Sequence, residues 1–167
     1  MSMESVAANV NLREFAGCFP TGVAVVTTND DAGTPHGSTI SALTSLSLDP
    51  MLVLVCVDKT ADTHDILSKA GVFAVNILNK EQAEISDRFA KKEFDGAHGL
   101  DDLPHGFAVT GAPIIDGALA YLDCRTITEH HGGDHTIFIG QVAEARELSN
   151  GEPLVFYGGR YGHFKAD

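Results

Sequence analysis

Seven consecutive apolar residues, MLVLVCV from Met51 to Val57, stand between an Asp-Pro corner and the polar pair Asp58-Lys59. The run is far too short to cross a membrane, and it lacks the polar alternate positions of a half-solvated strand. It predicts a strand with both faces covered. Comparable runs recur along the chain. GVAVVTT (Gly22 to Thr28), VFAVNIL (Val72 to Leu78) and PLVFY (Pro153 to Tyr157) are β-branched or aromatic, and ALAYLDCRTITEHH (Ala118 to His131) and DHTIFIGQVAEAREL (Asp134 to Leu148) alternate. In the last of these, Ile137, Ile139 and Ala143 share one face with His135 and Gln141. Turn formers punctuate the strands: NDDAGTP (Asn29 to Pro35) predicts a β-hairpin, and HGGD (His131 to Asp134) a glycine-rich turn.

Helical spacing is rarer. Leu12, Phe15, Ala16 and Phe19 form a short stripe that Pro20 ends. Thr60 to Gly71 reads as a helix with Asp62 or Thr63 as cap and Gly71 as stop. Asn79 to Ala90 reads as a third, with Ala83, Ile85 and Phe89 inward. Lys91 to Gly106 is a long polar loop of the kind that is usually functional or mobile. About seven closely spaced strands and two or three helices, without regular alternation, predict a mainly β chain closed or partly closed into a small barrel. A doubly wound parallel sheet does not fit.

With 167 residues, 44% of them apolar, the whole chain (1–167) reads as a single domain with a sizeable core. Its net charge of −12 argues against nucleic acid or an anionic membrane surface as partner. No run is long enough for a membrane span, and the first residues lack the basic and apolar regions of a signal peptide. Cys18, Cys56 and Cys124 are odd in number and set in apolar surroundings, which suits thiols in a reducing compartment; cytoplasm is the expected location.

No glycine-rich phosphate loop of either common type is present. HGSTISALTSLSLDP (His36 to Pro50) instead concentrates neutral donors: Ser38, Thr39, Ser41, Thr44, Ser45 and Ser47. Such hydroxyls, with backbone N–H groups and Thr21, suit a phosphate or a ribityl chain, although a Thr-rich edge strand is the simpler alternative. His130, His131 and His135 lie in one short segment, but adjacent histidines on a strand face opposite ways and no second ligand cluster stands out, so no metal is expected. A histidine opening a strand at a barrel mouth suits stacking on a ring or bonding a carboxamide. Arg88, Lys91 and Lys92 are the densest basic spot, fitting an anionic ligand or a solvated helix end. Lys59 is placed to meet a phosphate.

Taken in order, FPTGVAVVTT, GSTISALTSLSLDPMLVLVCVDK, THDILSKAGVFAVNIL, DRFAKKEF, GAPIIDGALAYLDC, GGDHTIFIGQV and PLVFYGGRYG resemble the short-chain flavin reductases, the reductase components of two-component flavin-dependent monooxygenases. The serine-rich stretch ending at Pro50 and the Gly-Asp-His strand from Gly133 to Gly140 are the most distinctive parts. Where members of that family often carry two prolines, this chain has Pro50-Met51. The resemblance implies an FMN-binding split β-barrel, antiparallel and Greek-key-like, that pairs into a homodimer. It implies reduction of FAD or FMN by NADH, or sometimes NADPH, and delivery of the reduced flavin to a partner monooxygenase. It implies that Thr39, Ile40, Ser41, Ala42, Ser45 and Ser47 wrap the flavin. Thr21, the stretch Cys56, Val57, Asp58 and Lys59, and the stretch Phe89, Ala90 and Lys91 match other flavin contacts. His135 would lie against the nicotinamide as a positioning residue, and Tyr161 would line the same mouth. FAD against FMN stays open. Two alternatives remain: a flavin- or haem-binding split barrel without pyridine-nucleotide activity, and a pyridoxamine-phosphate-oxidase-like enzyme.

Overall fold

The computed structural model describes residues 11–91 and 99–164. In chain order these form α1 (Leu12–Gly17), β1 (Thr21–Gly22), β2 (Ala24–Asn29), β3 (Pro35–Ile40), β4 (Leu43–Leu48), β5 (Met51–Asp58), α2 (Asp62–Ala70), β6 (Val72–Ile77), α3 (Ala83–Ala90), β7 (His105–Phe107), β8 (Pro113–Ile115), β9 (Ala120–Gly132), β10 (His135–Glu147), β11 (Leu154–Tyr157) and β12 (Arg160–His163). A single 3-10 turn, Lys80–Gln82, leads into α3. Lys92 and part of the predicted polar loop lie outside the described residues.

Seven strands make one antiparallel sheet in the order β3-β2-β6-β9-β10-β5-β4. Its two edge strands, β3 and β4, are consecutive in the chain and joined only by Ser41 and Ala42. Three Cα steps separate Ile40 from Leu43, a reach of about 11 Å. The edges must therefore meet, and the sheet curls into a barrel. They meet without forming a ladder with one another, so the barrel stays split along that seam. One contact beside the link comes from Cys56, whose N–H donates to the Ala42 carbonyl at 3.1 Å.

Curling brings the inner faces of β2, β3, β5, β6, β9 and β10 into one core. Val26, Ile40, Val55, Phe73, Cys124 and Phe138 meet there with Leu67 of α2. The opposite face of β2 is covered as well: Val23 and Val25 pack with Leu78, Phe89, Leu100, Ile115 and Leu154. The strands covered on both faces are thus β2 and β6. Within one chain β5 alternates, with Val53, Val55 and Val57 buried and Leu52, Leu54 and Cys56 only half-buried. In β10 the buried face is Thr136, Phe138 and Gly140, so Ile137 and Ile139 stand half-buried on the other side. The stripe on α1 has no buried residue at all.

Helix α2 lies over the seam. Its cap is Ala61, not Asp62 or Thr63, and no side chain caps it. The Thr63 hydroxyl instead donates to the Gly37 carbonyl on β3 at 2.8 Å, which closes part of the open edge. Gly71 ends the helix in the left-handed conformation, as expected. Asn79 and Gln82 form a capping box before α3.

Gly140 marks the tightest point of the barrel. A Cβ there would stand 2.5 Å from Cζ of Phe73 and 2.9 Å from Cβ of Cys124. Gly140→Ala is expected to destabilise the fold by about 1–3 kcal/mol through overpacking. Thermal unfolding should show a lower Tm; an unchanged Tm would mean that Phe73 moves aside freely.

Candidate functional site

A cavity of about 240 Å³ opens where β3, β5, α2, α3 and β10 converge. Six residues that the family resemblance assigns to flavin or nicotinamide line it: Thr39, Asp58, Phe89, Ala90, Lys91 and His135. They come from four separated segments, brought together by the closure of the sheet. Gly37, Ala61 and Thr63 line it too, and these were missed in the sequence. Gly37 had a legible reason: a Cβ there would press at 3.0 Å on the Phe89 ring.

His135 starts β10 with its ring partly exposed. Its Nδ1 lies 2.8 Å from Oδ1 of Asp134, and that bond holds the Asp134 carboxyl below its usual range. An ionised carboxylate only accepts, so Nδ1 carries the hydrogen, and in the neutral ring Nε2 is left as an acceptor. That suits a donor such as a carboxamide N–H. Lys59 supports the same turn: its Nζ donates to the Gly133 carbonyl at 2.6 Å, and its backbone N–H donates to the Asp134 carbonyl at 2.9 Å. In this structure Lys59 braces the turn that presents His135.

Thr39 is likewise engaged through its side chain, which donates to the Ser86 carbonyl at 2.8 Å. Its backbone is a different matter. The Gly37 carbonyl is used on the side away from β2. Amide groups alternate along a strand, so those of Thr39 also point outward at the seam. Of the basic residues before the polar loop, Lys91 lines the cavity. Arg88 makes a forked pair with Asp102 at 2.9 and 2.5 Å, donates to the Gly99 carbonyl at 2.7 Å and lies over the Phe89 ring. It fastens the end of the polar loop to α3.

Most of the rest of the hydroxyl stretch lies away from this cavity. Ile40 and Ser41 border a second cavity of about 280 Å³ with Phe19 and Thr21. Thr21 and Ser41 border a third of about 400 Å³ with Phe156 and Tyr157. The Thr21 hydroxyl oxygen is buried without a hydrogen-bond partner. Ser45 and Ser47 sit on the free edge β4, flanking a bulge at Leu46 where the pairing with β5 shifts. The stretch is therefore two strands and a link, not one edge strand.

Three side chains point elsewhere than expected: Val57, Ile40 and Tyr161. Val57 and Ile40 belong to the barrel core, and their backbones pair with Thr136 of β10 and Ala24 of β2. Cys56 is half-buried, and burial pushes its thiol up, so it meets a ligand as a neutral group. Tyr161 lines a different cavity, beside Pro20 and Arg160. Its hydroxyl lies 2.9 Å from the Ser86 hydroxyl and donates to Oδ1 of Asp87 at 2.8 Å. Burial raises this phenol above its ordinary value. His130 and His131 pair with Ile137 and Thr136 across the β9–β10 ladder. Among the described residues no three ligating side chains converge on one point.

The arrangement fits a flavin. A buried, unpartnered hydroxyl at Thr21, outward amides at Thr39, exposed Ser41 and the cationic Lys91 supply mostly neutral donors around the seam. Phe89, Ala90 and His135 supply an apolar wall and an aromatic ring on the other side.

Comparison with known proteins agrees with that geometry. The chain is 42% identical over 152 residues to the reductase component of 4-nitrophenol 4-monooxygenase/4-nitrocatechol 2-monooxygenase from Rhodococcus opacus, covering 91% of this chain and 79% of that protein. It is 39% identical over 154 residues to the FMN reductase (NADH) SmoA of Agrobacterium fabrum, covering 92% and 85%. The structure superposes with a TM-score of 0.84, at 39% identity and 93% and 92% coverage, on the NADH:FAD oxidoreductase SgcE6 of Streptomyces globisporus C-1027 in complex with NAD and FAD fragments. The family model for the flavin reductase like domain matches residues 16–165, and with nearly its whole length so matched, this chain belongs to the flavin reductase family.

Proposed function

We propose that this chain is an NADH-dependent flavin reductase that reduces FAD or FMN and passes the reduced flavin to a flavin-dependent monooxygenase. The observation that carries this is the single cavity in which His135 faces Thr39, Phe89 and Lys91, on a chain of the flavin reductase family. A bound flavin supplies the acceptor for the hydride of NADH. The protein contributes position and electrostatics. Amides and hydroxyls along Thr39 to Ser47, with Thr21, orient the flavin and stabilise the negative charge of its reduced ring. Lys91 adds one cation, and the backbone from Cys56 to Asp58 closes the far side. His135 holds the nicotinamide through Nε2, and no side chain acts as nucleophile. The three free cysteines suit a reducing compartment, so we place the protein in the cytoplasm.

The test is NADH oxidation with and without added FAD or FMN. The expected outcome is turnover that depends on added flavin. A permanently yellow protein inert to NADH would overturn the reading.

We also propose a homodimer. The outer face of β5 is only half-covered in one chain, and exposed apolar side chains stand at its start: Leu48 is 85% and Met51 56% exposed. Phe15 and Phe19 are 75% and 72% exposed at α1. Surfaces this apolar mark interfaces, and a second copy is the partner that every molecule of the chain meets. Sedimentation should show a dimer at micromolar concentration; a monomer there would count against it.

His135→Ala tests the nicotinamide contact. Loss of a stacking or hydrogen-bonding side chain should raise the NADH KM roughly five- to thirty-fold. Flavin affinity, measured by fluorescence, should stay unchanged, and kcat at saturating NADH should fall much less than KM rises. A large loss of kcat at constant KM would instead make His135 a chemical participant.

A further inference from the structure

His64 is a second histidine near the cavity, and nothing in the proposed reaction uses it. It sits in the first turn of α2, with a side chain 14% exposed. Both ring nitrogens are engaged. Nδ1 lies 2.9 Å from Oδ1 of Asp65, and Nε2 lies 2.8 Å from the Thr136 hydroxyl. The ring meets Phe138 edge-on at 5.8 Å, over the barrel core. The Asp65 carboxylate only accepts, so Nδ1 donates to it, and in the neutral ring Nε2 accepts from the Thr136 hydroxyl. Thr, His and Asp together have the composition of an acyl-transfer triad. Thr136 is only 1% exposed, however, so its hydroxyl meets no substrate. The trio is a strut.

Its ends explain its use. Thr136 is the residue after His135, and His64 is the residue after Thr63. His135 and Thr63 line opposite walls of one cavity. Thr63 is itself tied to β3 through the Gly37 carbonyl. The consecutive pair Thr63-His64 therefore joins three walls, β3, α2 and β10, across the split in the barrel.

We propose that His64 is a positioning residue: by holding Thr136 it fixes the backbone from which His135 reaches the nicotinamide. This rests on the reductase reading above. Thr136→Val removes the hydroxyl and keeps the shape. It should raise the NADH KM about three- to tenfold, the equivalent of one neutral hydrogen bond. The flavin affinity should hold, and Thr136→Ser should restore the wild-type KM. In a His135→Ala background Thr136→Val should add nothing, because the strut acts through His135. Should Thr136→Val fold poorly, His64→Gln and His64→Leu make the same comparison. The amide of Gln can still bond Thr136 and keeps the KM low, whereas Leu raises it. An unchanged NADH KM in Thr136→Val, a further rise on top of His135→Ala, or an equal loss of flavin affinity would each overturn the assignment. These outcomes are read in a protein that still oxidises NADH with added flavin. If the wild-type chain does not, the reductase reading itself has failed.

Discussion

The two-residue link Ser41-Ala42 governs this structure. It joins the two edges of a seven-stranded sheet, so the sheet has no choice but to roll up. An open sheet of that size would leave a face of Val, Ile and Phe side chains in water; rolled up, it buries them in one core. A two-residue link would suit a hairpin, yet β3 pairs with β2 and β4 with β5, and the two form no ladder with each other. The seam they leave is therefore built into the topology, and it is where backbone amides remain available. A barrel that closed fully would have no such row of donors.

Everything placed around the seam reads as a consequence. α2 lies across it and ties itself to Gly37 and Thr136. α3 packs behind β3, and Gly37 admits the Phe89 ring at close range. The last hairpin, β11–β12, reaches α3 through the Tyr161 hydroxyl, and Ser86 passes the contact on to Thr39. The ligand-facing residues are few, and a larger set of buried polar contacts holds them in register. Catalysis by positioning requires that ratio, since misplacement of a reactive pair by about 1 Å can cost a hundredfold in rate.

Much of this was legible in the sequence. The strand-rich pattern, the stop at Gly71 and six residues of the cavity follow from periodicity, turn chemistry and family resemblance. What was not legible depends on curvature. Continuous apolarity in MLVLVCV pointed to a strand covered on both faces, yet one chain covers β2 and β6 in that way and leaves β5 half open. Alternation in β10 separated two faces without saying which was inside; Gly140 decides it, because only that face can receive Phe73. Lys59, Thr39 and Tyr161 were read as ligand contacts; within the chain their side-chain polar atoms engage Gly133, Ser86 and Asp87, and the backbone amides of Thr39 stay turned outward. Residue type and chain position alone do not separate a group that touches a ligand from one that holds it in place.

The electrostatics agree with the proposed task. A chain of net charge −12 that takes up anionic cofactors gains nothing from long-range steering. Among the described residues Lys91 is the cation lining the cavity, while Arg88 is paired with Asp102 and Lys59 braces a turn. The donors left for a flavin are neutral hydroxyls and amides. Each such bond is worth about 0.5–1.5 kcal/mol net to the neutral ribityl chain or ring and about 1.5–3 to a charged phosphate. Several together orient a flavin without locking it in. A reductase that must release its product to another enzyme needs that balance, and a seam lined with neutral donors provides it where an arginine clamp would not.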